Sequence, residues 1–417
     1  MSDDATTPVP ATTPAPAPAA DASSGAAARG SKVFMIGLGL LAVGAILTFI
    51  SFQGDPHRFG YGYIIGFCFA WVIVLGSMFF VALQHATGSV WSVVLRRVPE
   101  MFAAPMLWLA ILFLPVLLTA LLGEHTIFPW QDPDNKAGQY AVYNKGTYLN
   151  ETSFIVRTVL FFAIWIFFGW FFVRGSLNQD GGKRADLTDR MRKASPIFLI
   201  LFGFTATFAS FDWLMSLEPN WFSTIYGVYV FGGMTLSALA VMAIALFLLK
   251  RSGTIAPELI RRDHVYSLGA LMFAFTCFWG YIAFSQFMLI WYANMPEETV
   301  YFVKRINNGW GGVTVALAFI RFVLPFFLLL SRQTKMDLGK LAGIGAFILF
   351  GQLFDLYWLV MPNYFGADGP GLGYQEIGPI LLFSGVLLVA AGRFMRRNPV
   401  VASGDPSFEA SRQFHLH

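Results

Sequence analysis

Ten long apolar runs follow one another along this chain of 417 residues, separated by short stretches that hold most of the charges. Each run has about the 20 residues that an α-helix needs to cross the hydrocarbon of a bilayer. Because lipid offers no hydrogen bonds to a backbone, the runs predict helices, and so an all-α polytopic membrane protein. The ten predicted transmembrane helices are 33–52, 62–84, 101–122, 154–173, 196–217, 226–249, 266–294, 310–331, 340–361 and 377–395.

The composition agrees with a chain embedded in lipid and argues against one class of partner. Hydrophobic residues make up 56% and charged residues 12%, whereas soluble proteins carry roughly 25% charged residues. The net charge of +4 comes from cations beside the apolar runs, so nucleic acid is not an expected partner.

Cysteine and histidine usage argues against a metal centre or a haem. The two cysteines, Cys68 and Cys277, lie in separate apolar runs, without the paired spacing of zinc and iron–sulfur sites. Haem b in a helix bundle needs facing histidines inside the membrane, and only His85 lies near the interior of a predicted helix. We therefore expect no metal and no redox cofactor bound by this chain itself.

The distribution of cations predicts the orientation. Lys and Arg concentrate on the side that holds both termini, which the positive-inside rule assigns to the cytoplasm. We therefore predict a multi-pass protein of the bacterial inner membrane with cytoplasmic N- and C-termini. The opposite side carries only Arg58, Lys136, Lys145, Arg157, Lys304 and Arg305.

The chain is predicted to have three parts. Residues 1–32 are rich in Ala, Pro and Thr and almost free of large apolar side chains, which is typical of a disordered tail without a secretory signal. Residues 33–395 form the membrane domain, and residues 396–417 form a cytoplasmic C-terminal tail. Within the domain, the connection 123–153 predicts an external loop that covers neighbouring helices and offers a surface to a partner.

An internal repeat relates helices that are four positions apart. The fifth predicted helix ends in the pattern FD-x6-PN, from position 211, and the ninth ends in the same pattern from position 354. A shift of four helices keeps the chain direction, so the repeat is parallel rather than inverted. It predicts two related four-helix bundles, helices 2–5 and 6–9, with helices 1 and 10 outside them.

An arginine also recurs in the helix before each of these patterns, in RTVLFF from position 157 and RFVLPF from position 321. Because an ionisable side chain in lipid needs a partner or a function, we predict the ion pairs Arg157–Asp212 and Arg321–Asp355. The pairs either hold adjacent helices together or supply carboxylates that pass protons between an external water path and the membrane interior. The sequence leaves both interpretations open.

Further acidic groups lie at the predicted external face. Glu218 follows the fifth helix, and Glu297 stands beside Glu298 after the seventh. Glu218 and Glu297 join the two ion pairs as proton-path candidates that collect protons or bind a partner. The sequence favours the simpler interpretation, that these are solvated helix ends.

The seventh predicted helix is unusually rich in aromatic and polar residues, in the run FWGYIAFSQFMLIWY at 278–292. Rings beside amide and hydroxyl donors suit a quinone headgroup, and Trp279, Ser285 and Gln286 are expected to face inward. The stronger alternative is that the aromatic residues form a belt at the membrane interface and that Ser285 and Gln286 bridge helices. For His85 the stronger alternative is a capping or interfacial role. The candidates for quinone contact are Trp279, Tyr281, Ser285, Gln286 and His85.

Three stretches resemble a known family. The run GSMFFVALQHATGSVWSVVLRRVPE at 76–100, FDWLMSLEPNWFSTIYGVY at 211–229 and FWGYIAFSQFMLIWYANMPEETVYF at 278–302 are similar to the NrfD-like, or polysulfide-reductase-type, membrane subunits, in the ActF form found in alternative complex III. The resemblance extends over about 33–395. It implies a pair of four-helix bundles flanked by extra helices.

The resemblance also implies a role in a quinol:electron-acceptor oxidoreductase. In such complexes menaquinol is oxidised, and electrons leave through iron–sulfur and haem c subunits toward a cytochrome c or a terminal oxidase. The implied partners are a multihaem cytochrome c, an iron–sulfur protein and a sister NrfD-like subunit, ActC, which is the better candidate for the quinol site. The family's proposed proton conduction or quinone contact carries over to Asp212, Ser216, Glu218, Trp279, Tyr281, Ser285 and Gln286.

Two other functions fit ten helices with buried charges. A stand-alone secondary transporter is one, although the parallel repeat and the lack of paired Gly/Pro-broken helices argue against it. A purely structural membrane anchor is the other. In the respiratory interpretation the chain is a subunit that is not catalytic alone.

Overall fold

The computed structural model describes residues 20–122, 127–132, 145–182 and 184–416, and within these ranges the chain is helical without a strand. All ten predicted transmembrane helices are confirmed, and the class is an all-α polytopic membrane protein. Their bounds are α1 Ala20–Gly54, α2 Pro56–Ala86, α3 Met106–Leu122 with the preceding short helix Arg97–Ala103, α4 Glu151–Leu177, α5 Ala185–Trp213, α6 Tyr226–Arg251, α7 Arg262–Ala293, α8 Trp310–Leu330, α9 Leu338–Val360 and α10 Tyr374–Arg397.

Eight of the ten helices form the two four-helix bundles that the repeat predicts. Helices α2 to α5 pack together, α6 to α9 pack together, and the bundles meet where α2 contacts α6 and α9. Helices α2 and α6 occupy equivalent places in the repeat and are the most buried of the ten. We call the face where α1 begins and α10 ends the terminal face, and the opposite face the loop face.

Helices α1 and α10 lie outside the bundles and pack closely against each other. Their contact runs through glycines spaced by seven residues, where a side chain on one helix would overlap the backbone of the other. Association of helices in lipid depends on such close packing because no hydrophobic effect drives it. The glycines are Gly30, Gly37 and Gly44 on α1, and Gly378, Gly385 and Gly392 on α10.

The ends of the chain are more ordered than the sequence predicts. Helix α1 begins at Ala20, so the prediction of disorder is wrong for residues 20–32, whose alanines favour helix. The prediction for residues 1–19 lies outside the described residues. The C-terminal segment folds back onto the terminal face, where Asp405 accepts a 2.5 Å hydrogen bond from Arg96 and both side chains are buried.

The connection between α3 and α4 covers the loop face of the first bundle, as predicted, in the parts that the structure describes. Trp130 is buried, packs against Phe154 of α4 and donates a 3.3 Å hydrogen bond to Ser216 Oγ. Tyr148 lies under the Arg157 guanidinium, 3.9 Å from its ring centre. Docking of a partner on this loop stays a prediction.

Candidate functional site

Both ion pairs that the repeat predicts are present. In the first bundle, Arg157 donates two hydrogen bonds to Asp212, from Nε to Oδ2 at 2.8 Å and from Nη2 to Oδ1 at 2.9 Å. The Asp212 side chain is fully buried, while the Arg157 side chain is 18% exposed near the loop face. This bidentate geometry is the strong form of an Arg–carboxylate pair and ties α4 to α5.

The second ion pair is wholly buried and less symmetric. Arg321 Nε lies 3.6 Å from Asp355 Oδ2, and neither side chain is more than 2% exposed. Asp355 also accepts a short hydrogen bond from the Tyr229 hydroxyl, and Arg321 donates one to Gln352 Oε1. Ser237 donates to the same Gln352 oxygen at 3.1 Å, so three helices, α6, α8 and α9, meet at one polar cluster. We call Tyr229, Arg321, Gln352 and Asp355 the buried cluster.

The local chain explains how Arg321 reaches the interior. It lies in a π-helical turn, Phe319–Val323, within α8. Pro325 lacks the N–H that would bond to the Arg321 carbonyl, which disrupts the α-helical ladder at this turn. Gly233 on α6 makes room, since a Cβ there would lie 2.7 Å from Arg321 Nη2. A π-turn of this kind is frequent at functional sites.

A cavity of about 390 Å³ adjoins the buried cluster in the second bundle. It lies between α7 and α8, and its lining includes Phe284 and Val315, which are exposed on the outside of the bundle. Tyr229 and Trp279 form part of its wall and separate it from Asp355 and Arg321. The volume falls in the usual range for small-molecule sites, roughly 300–1,000 Å³.

The lining is mostly aromatic and apolar. One of its few polar groups is the Gln286 amide, which is nearly buried and makes no side-chain hydrogen bond to any described residue. The Thr314 hydroxyl, by contrast, is bonded to the Arg305 carbonyl and the Trp358 indole. Gln286 therefore remains available to a ligand in the cavity.

A short helix on the loop face, Pro296–Lys304, roofs this cavity. Its Tyr301 stacks on Trp221 with ring centres 3.9 Å apart, and the Arg305 guanidinium lies 3.5 Å from the other side of the Tyr301 ring. Arg305 is buried and donates to the Leu359 carbonyl at 2.9 Å. The roof is thus fixed to α9 and to the connection between α5 and α6.

Glu218 joins this roof rather than standing in solvent, so the favoured interpretation of a solvated helix end is wrong for it. Its carboxylate lies 3.1 Å from Arg305 Nη1 and 3.4 Å from Lys304 Nζ. Burial lowers the pKa of Lys304, against the opposing charge of Glu218. Glu297 is exposed, as a solvated helix end should be.

The predicted quinone contacts divide between the cavity and the outside. Trp279 and Gln286 line the cavity. Tyr281 is 67% exposed and faces away from the bundle, and Ser285 is half-buried and outside the lining, although it was expected to face inward. His85 is buried at the other end of the membrane domain, where its ring stacks on Phe172 at 5.9 Å.

Several residues of the site were not found from the sequence. Gln352 precedes Asp355 by three residues, a spacing that puts both on one face of α9. Tyr229 and Gly233 likewise share a face of α6, four residues apart. These spacings indicate shared helix faces on α6 and α9. They predict a common site only when it is also known that Arg321 points at both faces.

The equivalent interior of the first bundle is packed with aromatic rings. Trp71, Trp165 and Trp213 fill that interior with their rings 5.1 to 6.1 Å apart. Further rings close the remaining space, including Phe113 at 4.6 Å from Trp213. Each bundle thus has its own Arg–Asp ion pair, but the residues around the two pairs differ.

The fold and the site define a multi-pass, all-α membrane protein with a polar cluster buried beside a laterally open cavity. Across the described ranges no group of three or more His, Cys, Asp or Glu side chains is placed to hold a metal ion. A comparison of the chain with protein-family models finds no matching family, and a comparison with curated proteins finds no match.

Proposed function

We propose that this chain is the membrane subunit of a respiratory quinol:electron-acceptor oxidoreductase of the alternative complex III type. In this proposal it lies in the bacterial inner membrane with cytoplasmic termini and supports menaquinol oxidation. Its second bundle takes up the quinol proton, and electrons pass to haem c and iron–sulfur clusters in partner subunits. In this proposal the redox groups belong to the partner subunits, and the chain is not catalytic alone.

The observation that carries the proposal is the position of the buried cluster beside a cavity that opens toward lipid. A quinol is an apolar molecule that reaches its site from within the bilayer, so a lateral mouth suits it. The aromatic walls offer stacking to a flat ring, and the free amide of Gln286 offers a hydrogen bond to one ring oxygen. Trp279, a predicted quinone contact, lines the same wall.

Tyr229 connects the cavity to a proton acceptor. Its ring lines the cavity, and its hydroxyl donates to Asp355. A quinol hydroxyl in the cavity would donate to the Tyr229 oxygen while the Tyr229 proton moves to the Asp355 carboxylate. Arg321 stabilises the charged carboxylate before transfer and is left beside a neutral acid after it, which favours onward release of the proton.

Glu218 and Arg305 lie on the route from this cluster to the loop face. Arg305 donates to the backbone of α9 at Leu359, which also lines the cavity, and it pairs with Glu218 beside a surface recess of about 530 Å³. Protons that leave Asp355 would reach solvent through this recess. Glu218 thus acts as the last carboxylate of the path.

The test compares Asp355→Asn with Asp212→Asn in the complex purified from native membranes. The two carboxylates occupy the same place in the repeat, but only Asp355 adjoins the cavity. We expect Asp355→Asn to lower quinol-dependent reduction of cytochrome c by roughly 10²-fold or more, as for loss of a general base, and Asp212→Asn to leave it within a few-fold of wild type. Retention of haem c and iron–sulfur subunits in each preparation shows that assembly is intact.

Tyr229→Phe provides a milder second variant. It removes one hydroxyl, leaves the Arg321–Asp355 pair in place, and should also lower the rate. Normal rates in assembled Asp355→Asn and Tyr229→Phe complexes would instead support a structural anchor. Isolation of the chain without haem c or iron–sulfur partners would support a transporter.

A further inference from the structure

A second recess, distant from the buried cluster, lies on the terminal face between the ends of α6, α7 and α9. Its volume is about 540 Å³. Three cations line it: Lys250 at the end of α6, Arg262 at the start of α7 and Lys340 in the first turn of α9. A membrane-spanning helix ends or begins at each of these cations, so in a bilayer the recess would lie near the level of the lipid headgroups.

The cations of this recess are not neutralised by the protein. Arg262 and Lys340 make no ion pair and no side-chain hydrogen bond with any residue that the structure describes. Lys250 donates only to a neutral group, the Ile260 carbonyl at 2.9 Å. Asp337 is the one carboxylate in the lining, and its Oδ1 already accepts from the backbone N–H groups of Gly339 and Lys340.

Three converging cations with one occupied carboxylate leave an excess of positive charge in a concave site. Arg262 and Lys340 are exposed and Lys250 is half-buried, whereas the buried cations Arg96 and Arg97 are paired with Asp405 and Asp180. Basic recesses between transmembrane helices are the usual binding sites of anionic lipid headgroups. An ammonium binds phosphate as a point charge, and a guanidinium can bind it with two hydrogen bonds.

We propose that the recess formed by Lys250, Arg262 and Lys340 binds a phosphate group, supplied by the headgroup of an anionic phospholipid or by free phosphate. The site is independent of the quinol cavity and of the function proposed for it. Occupation would place one anion against the ends of three helices of the second bundle and hold them together.

The experiment measures lipid retention by native mass spectrometry of the full chain, with any subunits that copurify, released from nanodiscs. The nanodiscs contain phosphatidylcholine alone or phosphatidylcholine with phosphatidylglycerol. The variant is Arg262→Gln/Lys340→Gln. The matched control is Arg190→Gln/Lys193→Gln, which removes two exposed cations of the terminal face outside the recess.

We expect wild type and the control to retain one phosphatidylglycerol more than the recess variant, and no extra phosphatidylcholine. Loss of two charges should weaken binding roughly 30-fold. Equal retention by all three proteins, or equal loss in both variants, would overturn the site. Competition by inorganic phosphate at millimolar concentration would identify free phosphate as the source, and retention in its presence would identify the lipid.

Discussion

The contact between α1 and α10 gives a prediction whose size follows from the coordinates. Replacing Gly37 with Leu puts a Cβ 2.6 Å from the Val389 nitrogen and 2.9 Å from the Leu388 carbonyl carbon. Non-bonded heavy atoms normally stay about 3.5–4.0 Å apart, so α1 has to withdraw by roughly 1 Å. The obstacle is backbone on a second helix, which has no rotamer by which to yield.

A gap of this size is costly along a contact that extends over most of α1. A displacement of about 1 Å loses up to roughly half of the dispersion energy at each affected contact, and lipid supplies no hydrophobic compensation. Overpacking of this kind costs about 1–3 kcal/mol. We therefore expect Gly37→Leu to lower the thermal midpoint of the monodisperse fraction, measured by fluorescence-detected size exclusion in a mild detergent.

Gly39 provides the matched control on the same helix. A Cβ at Gly39 meets nothing within 4 Å, so Gly39→Leu adds the same side chain and the same helix propensity without a clash. Its midpoint should stay at the wild-type value. If the two variants lose stability equally, the glycine contact does not hold α1 in place and the reasoning fails.

Two further substitutions, each with a matched control variant, test the packing of the second bundle, and the thermal midpoint is again the quantity measured. Arg305→Gln leaves buried carbonyls without their donor and should lower the free energy of unfolding by about 3–5 kcal/mol. Its control, Lys304→Gln, changes a part-exposed pair and should lower it by about 1 kcal/mol or less. Similar losses in the two variants would contradict the anchoring role of Arg305. Gly233→Ala displaces the Arg321 guanidinium and should destabilise, while Gly203→Ala, with open space around it, should not; an unaffected Gly233→Ala would show that the buried cluster adapts freely.

The sequence predicts the membrane helices well because lipid imposes a length and an apolar composition on each of them. The two bundles and the ion pairs were also predictable, since the repeat shows Arg and Asp twice in one register. The start of α1 was harder to predict. Residues 20–32 lack large apolar side chains, yet they form the first turns of α1 as an alanine-rich helix. Where a helix extends beyond its apolar run, its first residue depends on helix propensity rather than on the thickness of the lipid.

The surroundings of the ion pairs were not predictable from the sequence. The interpretation of Glu218 failed because its main partner, Arg305, is 87 positions away, just after a short helix that no apolar run predicts. The cavity depends on how α7 turns about its axis, which puts Gln286 inside and Tyr281 outside. Aromatic residues all around a helix leave that rotation undetermined.

The comparison of the two bundles bears on the choice that the sequence leaves open, between ion pairs that only join helices and ion pairs that move protons. In the first bundle, packed aromatic rings fill the space beside Arg157–Asp212, and the arginine is part-exposed near the loop face. Arg321–Asp355 carries the same charges, but a tyrosine hydroxyl connects its carboxylate to a cavity. We infer that the ion pair links helices in both bundles, and that in the proposed function only the copy beside the cavity also accepts a proton.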